Sequence, residues 1–188
     1  MDSLTQYLPE QRLPAVPFEL EIGKFTLSGQ LDKLSASGLL RYRLSRKKGR
    51  DLINGWLEHL ILNIVKPEGV TLETQLVFED EEITFTPVID AQFLLEHYLN
   101  LYWQGCQQPL PLFDKTSLAY AKQALSKQRE KAQQVAERTW APANEFVMAE
   151  QDDAYYQHCF PANPLDERFA DIALQVYEPI QQTNQGGQ

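Results

Sequence analysis

Leu27-Ser-Gly-Gln-Leu-Asp32, a short turn, and then Gly38-Leu-Leu-Arg41-Tyr42-Arg43 is the stretch on which the reading of this chain turns. Phe25, Leu27, Gly29 and Leu31 alternate with polar positions, which predicts a strand over 24–31 with one apolar face. A preceding strand over 18–22 turns into it at Gly23. After the turn Ser35-Ala36-Ser37-Gly38, a third strand runs through Leu39, Leu40, Tyr42 and Leu44. One carboxylate, Asp32, therefore ends a strand, and two guanidinium groups, Arg41 and Arg43, sit two residues apart on the next one.

That spacing has a chemical counterpart. Hydrolysis of DNA with Mg²⁺ needs hard oxygen ligands at octahedral range. Nucleases of the restriction-endonuclease type place one acid at a strand end. A second acid and a lysine follow two residues apart on the neighbouring strand, facing the same side. Asp32, Arg41 and Arg43 fit the spacing, but Arg41 has no lone pair to offer a cation. Arg43 can imitate the lysine's charge without titrating as a lysine does. The expectation is a degenerate site with no catalytic residue, no metal and no cofactor, sealed by a salt bridge between Asp32 and Arg41. An ordinary strand-turn-strand with one Asp and several Arg has the same spacing. The alternative is an active metal-dependent nuclease whose second carboxylate has migrated, with Glu19 or Glu21 as candidates.

At 188 residues, 43 % hydrophobic and 11 % aromatic, the chain has the composition of a single globular domain with a buried core. Its formal net charge of -9 excludes a protein that coats nucleic acid over its whole surface, so contact with DNA has to be local. No apolar run is long enough to span a membrane and the N-terminus lacks a signal-peptide pattern, which predicts a soluble, cytoplasmic protein. Cys106 and Cys159 form no CxxC pair and read as two reduced, partly buried thiols. His59, His97 and His158 have no zinc spacing.

Along the chain, Pro9, Pro14 and Pro17 predict an extended lead-in over 1–17. Leu52, Ile53, Trp56, Leu57, Leu60, Ile61 and Ile64 predict a helix over 51–65, capped by Asp51 and ended by Pro67. Strands over 70–78 and 82–88 form a hairpin around Glu79-Asp80-Glu81. A second helix is predicted over 91–104, and a third helical region extends from caps at Asp114 and Thr116 towards Trp140. A short helix over 166–177 precedes a disordered tail over 179–188. Strands, a helix, a hairpin and then helices predict an α/β or α+β layered domain.

Further residues add a family resemblance. Trp56-Leu-Glu-His-Leu60 and the segment 109–121, PLPLFDKTSLAYA, resemble the C-terminal domain of RecC, the gamma subunit of bacterial exodeoxyribonuclease V. So do Leu27 to Asp32 and Gly38 to Tyr42, and the resemblance covers residues 18–178 in the same order. It implies an α/β fold of the restriction-endonuclease-like, PD-(D/E)XK type: a mixed sheet flanked by helices, without catalysis. It also implies RecB and RecD as partners, with DNA handled in the complete complex. The unwinding and degradation carried out by such a complex cannot be assigned to this chain alone.

The run RYRLSRKKGR at 41–50 holds six of the seventeen Lys and Arg residues: Arg41, Arg43, Arg46, Lys47, Lys48 and Arg50. Three readings stay open for it: contact with a partner protein, contact with DNA phosphates, or a solvated strand edge and loop. His59 reads as a buried, hydrogen-bonded histidine, Tyr98, Tyr102 and Trp103 as core, and Asp152-Asp153 as a loop or helix cap.

Overall fold

Residues 12–142 and 149–183 are described in the computed structural model of the chain. They form β1 (Val16–Ile22), β2 (Phe25–Leu31), β3 (Leu34–Ser35), β4 (Gly38–Tyr42), α1 (Gly49–Val65), β5 (Thr74–Val77), β6 (Glu82–Phe85) and α2 (Ala91–Gln107). Then come α3 (Thr116–Ala124), α4 (Ala132–Trp140), α5 (Ala154–Cys159) and α6 (Glu167–Thr183), with 3-10 turns at Arg129–Lys131 and Glu150–Asp152. The described residues divide into two compact units, one of 12–47, 54–99 and 183, the other of 48–53 and 100–182.

In the first unit β1 and β2 make an antiparallel hairpin in which Phe18 faces Gly29, Leu20 faces Leu27 and Ile22 faces Phe25. These pairs share one face because side chains alternate along a strand; Glu19 and Glu21 point to the other. β1 begins at Val16, so Val16 and Pro17 belong to the strand rather than to the lead-in. Gly23 turns the hairpin at φ 56, and a Cβ there would run into the Glu96 side chain.

The remaining strands form a four-stranded sheet in the order β3-β4-β5-β6. β4 and β5 are parallel and joined through α1, while the other neighbours are antiparallel. The result is a mixed sheet with helices, the α/β class the pattern predicted. The hairpin stands apart from this sheet as a two-stranded sheet of its own. Lys33, between β2 and β3, adopts φ 59, and this left-handed step breaks the pleat that would otherwise continue from one sheet into the other. The second hairpin lies where expected, around the acidic turn, with strands shorter than the sequence suggested.

Register shows which face carries α1. Leu39 is level with Thr74 and Phe85, and Arg41 with Leu76 and Ile83, so these residues share one side of the sheet. Helix α1 approaches that side closely at Gly55, where a Cβ would lie 2.7 Å from both Leu76 methyl carbons. Gly55→Ala is therefore expected to destabilise the fold by about 1–3 kcal/mol through overpacking, despite alanine's better helix propensity. Urea denaturation checks this; a variant as stable as the parent would show that helix and sheet separate freely.

In the second unit Phe113, Ala136, Trp140, Leu165 and Phe169 form the core, with Tyr120, Tyr156 and Phe160 packed against it. The helical region predicted from Thr116 to Trp140 is two helices. Ser126 breaks it, its hydroxyl bonding the Gln123 carbonyl at 2.7 Å and accepting from the Gln128 N–H at 3.1 Å. Helix α5 was not anticipated; Asp153 caps it, accepting from the N–H groups of Tyr155 and Tyr156, in line with the cap reading of that residue. Helix α6 runs to Thr183, so residues 179–183, assigned to the tail, are helical, and Pro179 lies within the helix. Residues 184–188 lie outside the described residues. Both cysteines are free and exposed, not partly buried. Among the described residues no helix is long and apolar enough to cross a membrane.

Candidate functional site

Arg41 sits on the α1 side of β4, and its guanidinium makes a two-pronged ion pair with the Glu58 carboxylate of that helix. Both side chains are about one third exposed or less. The planar fork of arginine matches a carboxylate in this geometry. The bridge expected with Asp32 is therefore replaced by one with Glu58. The Leu40 N–H donates to the Lys33 carbonyl at 3.2 Å, which leaves Asp32 one residue beyond the pairing of β3 with β4. Asp32 is nonetheless exposed. Glu58 was missed; the signal available was a single acid, followed by His59, inside an otherwise apolar helical run.

The alternative carboxylates lie too far away to share an ion with Asp32. Glu19 is level with Ser28 and Glu21 with Thr26. At about 3.4 Å per residue they fall ~13 and ~20 Å along the strand from Asp32. Glu21 also accepts a hydrogen bond from the Thr26 hydroxyl at 3.0 Å. Among the described residues no group of three or more His, Cys, Asp or Glu side chains is placed to hold a metal ion.

Next to Glu58 along the helix, His59 is fully buried. Its ring stacks on Trp56 with centroids 5.4 Å apart and tilts against Phe85. Nε2 lies 3.0 Å from the Thr86 carbonyl, which can only accept, so Nε2 carries the proton and Nδ1 accepts from the Thr74 hydroxyl at 2.9 Å. Asn63 extends the network, donating to the His59 carbonyl and accepting from the Val88 N–H. Burial drives the imidazole's pKa down to about 4, against the opposing pull of the Thr86 carbonyl. His59 is thus a neutral core group, as its sequence context suggested, and not a base or a ligand.

The basic run is divided. Arg41, Arg43, Arg46 and Lys47 belong to the first unit, Lys48 and Arg50 to the second. Its first part lies along the acidic turn: the Arg43 N–H donates to the Val77 carbonyl, the Lys47 N–H to Asp80 at 2.9 Å, and the Lys47 ammonium pairs with Glu81. Arg41 and Lys47 are therefore each ion-paired within the chain. Arg43, Arg46, Lys48 and Arg50 are exposed.

In the second unit the 109–121 stretch is structural. Phe113 is fully buried at the centre of the core. Asp114 does not cap α3; its carboxylate accepts from the Arg50 N–H at 2.8 Å and so caps α1, a role expected of Asp51. The start of α3 is satisfied instead by Glu150. This buried carboxylate accepts from the N–H groups of Lys115 and Thr116 and from the Thr116 hydroxyl, at 2.9, 2.8 and 2.7 Å. The Tyr177 hydroxyl is held well above its usual range by burial and by Asp114 and Glu150; burial first and Glu150 next also raise Tyr156. Of the aromatic patch expected as core, Tyr98 is buried, but Tyr102 and Trp103 are exposed.

The sequence pattern of the RecC C-terminal domain matches residues 1–125. The chain is 31% identical over 152 residues, 74% of its length, to the RecBCD enzyme subunit RecC of Buchnera aphidicola subsp. Schizaphis graminum (strain Sg). It is 28% identical over 149 residues, 71% of its length, to the protein of the same name from Buchnera aphidicola subsp. Baizongia pistaciae (strain Bp). These alignments span 14% and 13% of the two relatives. With a family match that takes in the hairpin, the four-stranded sheet and the Phe113 segment, the chain belongs to the RecC C-terminal domain family.

Proposed function

We propose that residues 18–178 act as a catalytically degenerate, restriction-endonuclease-like domain of a cytoplasmic RecC subunit. Its work is subunit assembly with RecB and RecD and DNA handling within the RecBCD helicase-nuclease, in double-strand break repair and recombination. The chain on its own is then not an enzyme, and it takes no metal or cofactor. The observation that carries this reading is the Arg41–Glu58 pair. At the strand position where a nuclease would offer its second acid stands a guanidinium, and the carboxylate within reach of it is already bound. A cation entering there would meet positive charge and would have to break a two-pronged bond. The parallel β4-α1-β5 crossover, with Asp32 at the end of the preceding hairpin, supports descent from a nuclease-like arrangement. Arg43, Arg46, Lys48 and Arg50 are exposed candidates for contact with partner subunits or DNA, and Arg41 and Lys47 are engaged by Glu58 and Glu81.

Calorimetric titration of the chain with Mg²⁺ and Mn²⁺, with plasmid and single-strand cleavage assays on the same sample, tests the loss of catalysis. Co-purification with RecB and RecD tests assembly. The expected result is no saturable metal heat, no cleavage and retention of the partner subunits. Metal-dependent cleavage that disappears in Asp32→Ala would overturn the degenerate reading and favour the migrated-carboxylate alternative.

A further inference from the structure

The hairpin of β1 and β2 has two outer edges, and the sequence treats them differently. Gly23 at φ 56, followed by Lys24 at negative φ, makes a two-residue turn of the II′ kind. The pair flanking such a turn, Ile22 and Phe25, exchanges backbone hydrogen bonds, and bonded and non-bonded pairs alternate from there. Glu21 with Thr26, Glu19 with Ser28 and Pro17 with Gln30 are then the pairs whose backbone groups point outward. Pro17 has no N–H to donate and fits such a position. The outer edge of β1 is therefore blunted by a proline and two carboxylates, the residues that keep an edge from pairing. The outer edge of β2 carries Thr26, Ser28 and Gln30, with no charge and no proline. All three are exposed, and among the described residues their backbone groups bond nothing outside the hairpin.

We infer that the outer edge of β2 receives an extended segment of a partner protein, in which apolar residues alternate with Lys or Arg, as a third strand. Backbone pairing to Thr26, Ser28 and Gln30 holds the segment, and its alternate side chains meet two different faces. On one face Phe25 and Leu27 are only half-buried, and the Phe18 ring lies across Gly29, where a Cβ would be 3.0 Å from its Cζ. Apolar side chains of the segment cover that surface. On the other face Glu19 and Glu21 stand behind the short side chains of Ser28 and Thr26, two strand spacings or ~10 Å from the added strand. That is within the screening length at low salt, so the carboxylates attract the segment's cations and repel an acidic segment. A second copy of the chain fits less well, because it brings no cation to the two carboxylates and adds a second net charge of -9. This deepens the assembly part of the proposed function and rests on it for the existence of a protein partner, while assigning the contact to β2 and not to the basic run.

The test is binding of a labelled, end-capped heptapeptide of alternating Val and Lys to the full chain, by fluorescence anisotropy over a series of salt concentrations. Saturable binding that weakens as salt rises is expected. Ser28→Pro removes an outward N–H at a position where an edge strand tolerates proline, and is expected to weaken binding about tenfold or more. Glu19→Lys with Glu21→Lys changes only exposed side chains and is expected to weaken binding about 3- to 10-fold and to remove most of its salt dependence. A peptide of the same composition with its Val and Lys residues segregated is expected to bind at least about tenfold more weakly, since its apolar groups cannot all lie on one face. No saturable binding by the parent at low salt, equal binding of the two peptides, or equal binding by both variants overturns the site. A parent chain that sediments as a dimer without peptide, and as a monomer once Ser28→Pro is introduced, overturns it in favour of a second copy. Co-purification with RecB and RecD reads the assembly role separately. Retention of those subunits without peptide binding means that the site alone has failed, and peptide binding without their retention that the assembly role has.

Discussion

Phe113→Ala is expected to destabilise the second unit by about 3–5 kcal/mol, the range for removing a fully buried aromatic ring. Phe113 has no exposed surface, and four rings pack around it. Their centroids lie 4.4 Å away for Trp140, 5.0 Å for Tyr156, 5.4 Å for Phe160 and 6.0 Å for Phe169. Truncation leaves a cavity that the surrounding side chains can refill only by giving up contacts they make elsewhere, such as Trp140 with Tyr156 and Tyr120 with Phe169. Its backbone is tied as well, the N–H donating to the Ser117 hydroxyl at 2.8 Å, so the chain cannot easily move in to fill the gap. Urea denaturation followed by tryptophan fluorescence suits the measurement, since Trp140 lies against the ring. Phe113→Leu should recover part of the loss. A Phe113→Ala variant within about 1 kcal/mol of the parent would show that the cluster collapses around the gap and that Phe113 is not its keystone.

The second large effect is one of pH. His59 binds its proton at about 4 in the folded chain against 6.5 for an unperturbed imidazole, because burial disfavours the cation. As pH falls, the unfolded chain therefore takes up the proton first. The group's contribution to stability is intact above about pH 6.5, is lost progressively between pH 6.5 and about 4, and changes no further below that. Between about pH 7 and pH 5 the loss is about 2 kcal/mol from this residue alone. Carboxylates add their own pH dependence, so the comparison that isolates the histidine is with His59→Gln. Glutamine cannot titrate and can still donate to the Thr86 carbonyl and accept from the Thr74 hydroxyl. Denaturation midpoints at the two pH values should differ much more for the parent than for the variant. Equal differences would mean that the ring is reached by water and protonates in the folded state.

The strand alternation through Phe25, Leu27 and Leu31 and the apolar stripe through Leu52, Trp56 and Leu60 were legible because each element buries one face, and burial imposes a period on the sequence. The salt bridge was misread because its partner is seventeen residues away on a helix. Spacing along strands says nothing about which helical side chain will arrive above them. The caps show the same limit. Asp51 and Asp114 were read as capping the helices next to them in sequence, but Asp114 serves the start of α1, sixty-four residues from its bond to Arg50, and Glu150 serves α3.

What the sequence by itself determined is most of the strands and the longer helices, the α/β class, the family and the absence of a second acid on β4, all properties of local pattern or residue identity. Tertiary structure decided that the hairpin stands apart from the sheet, that Glu58 claims Arg41, that half of the basic run lies along an acidic turn and that the PLPLFDK segment is a core and capping element. Each of these depends on groups far apart in the chain meeting at hydrogen-bonding or packing distance. Such meetings are selected by the free energy of burying one whole set of surfaces together, a quantity that no local stretch of residues contains.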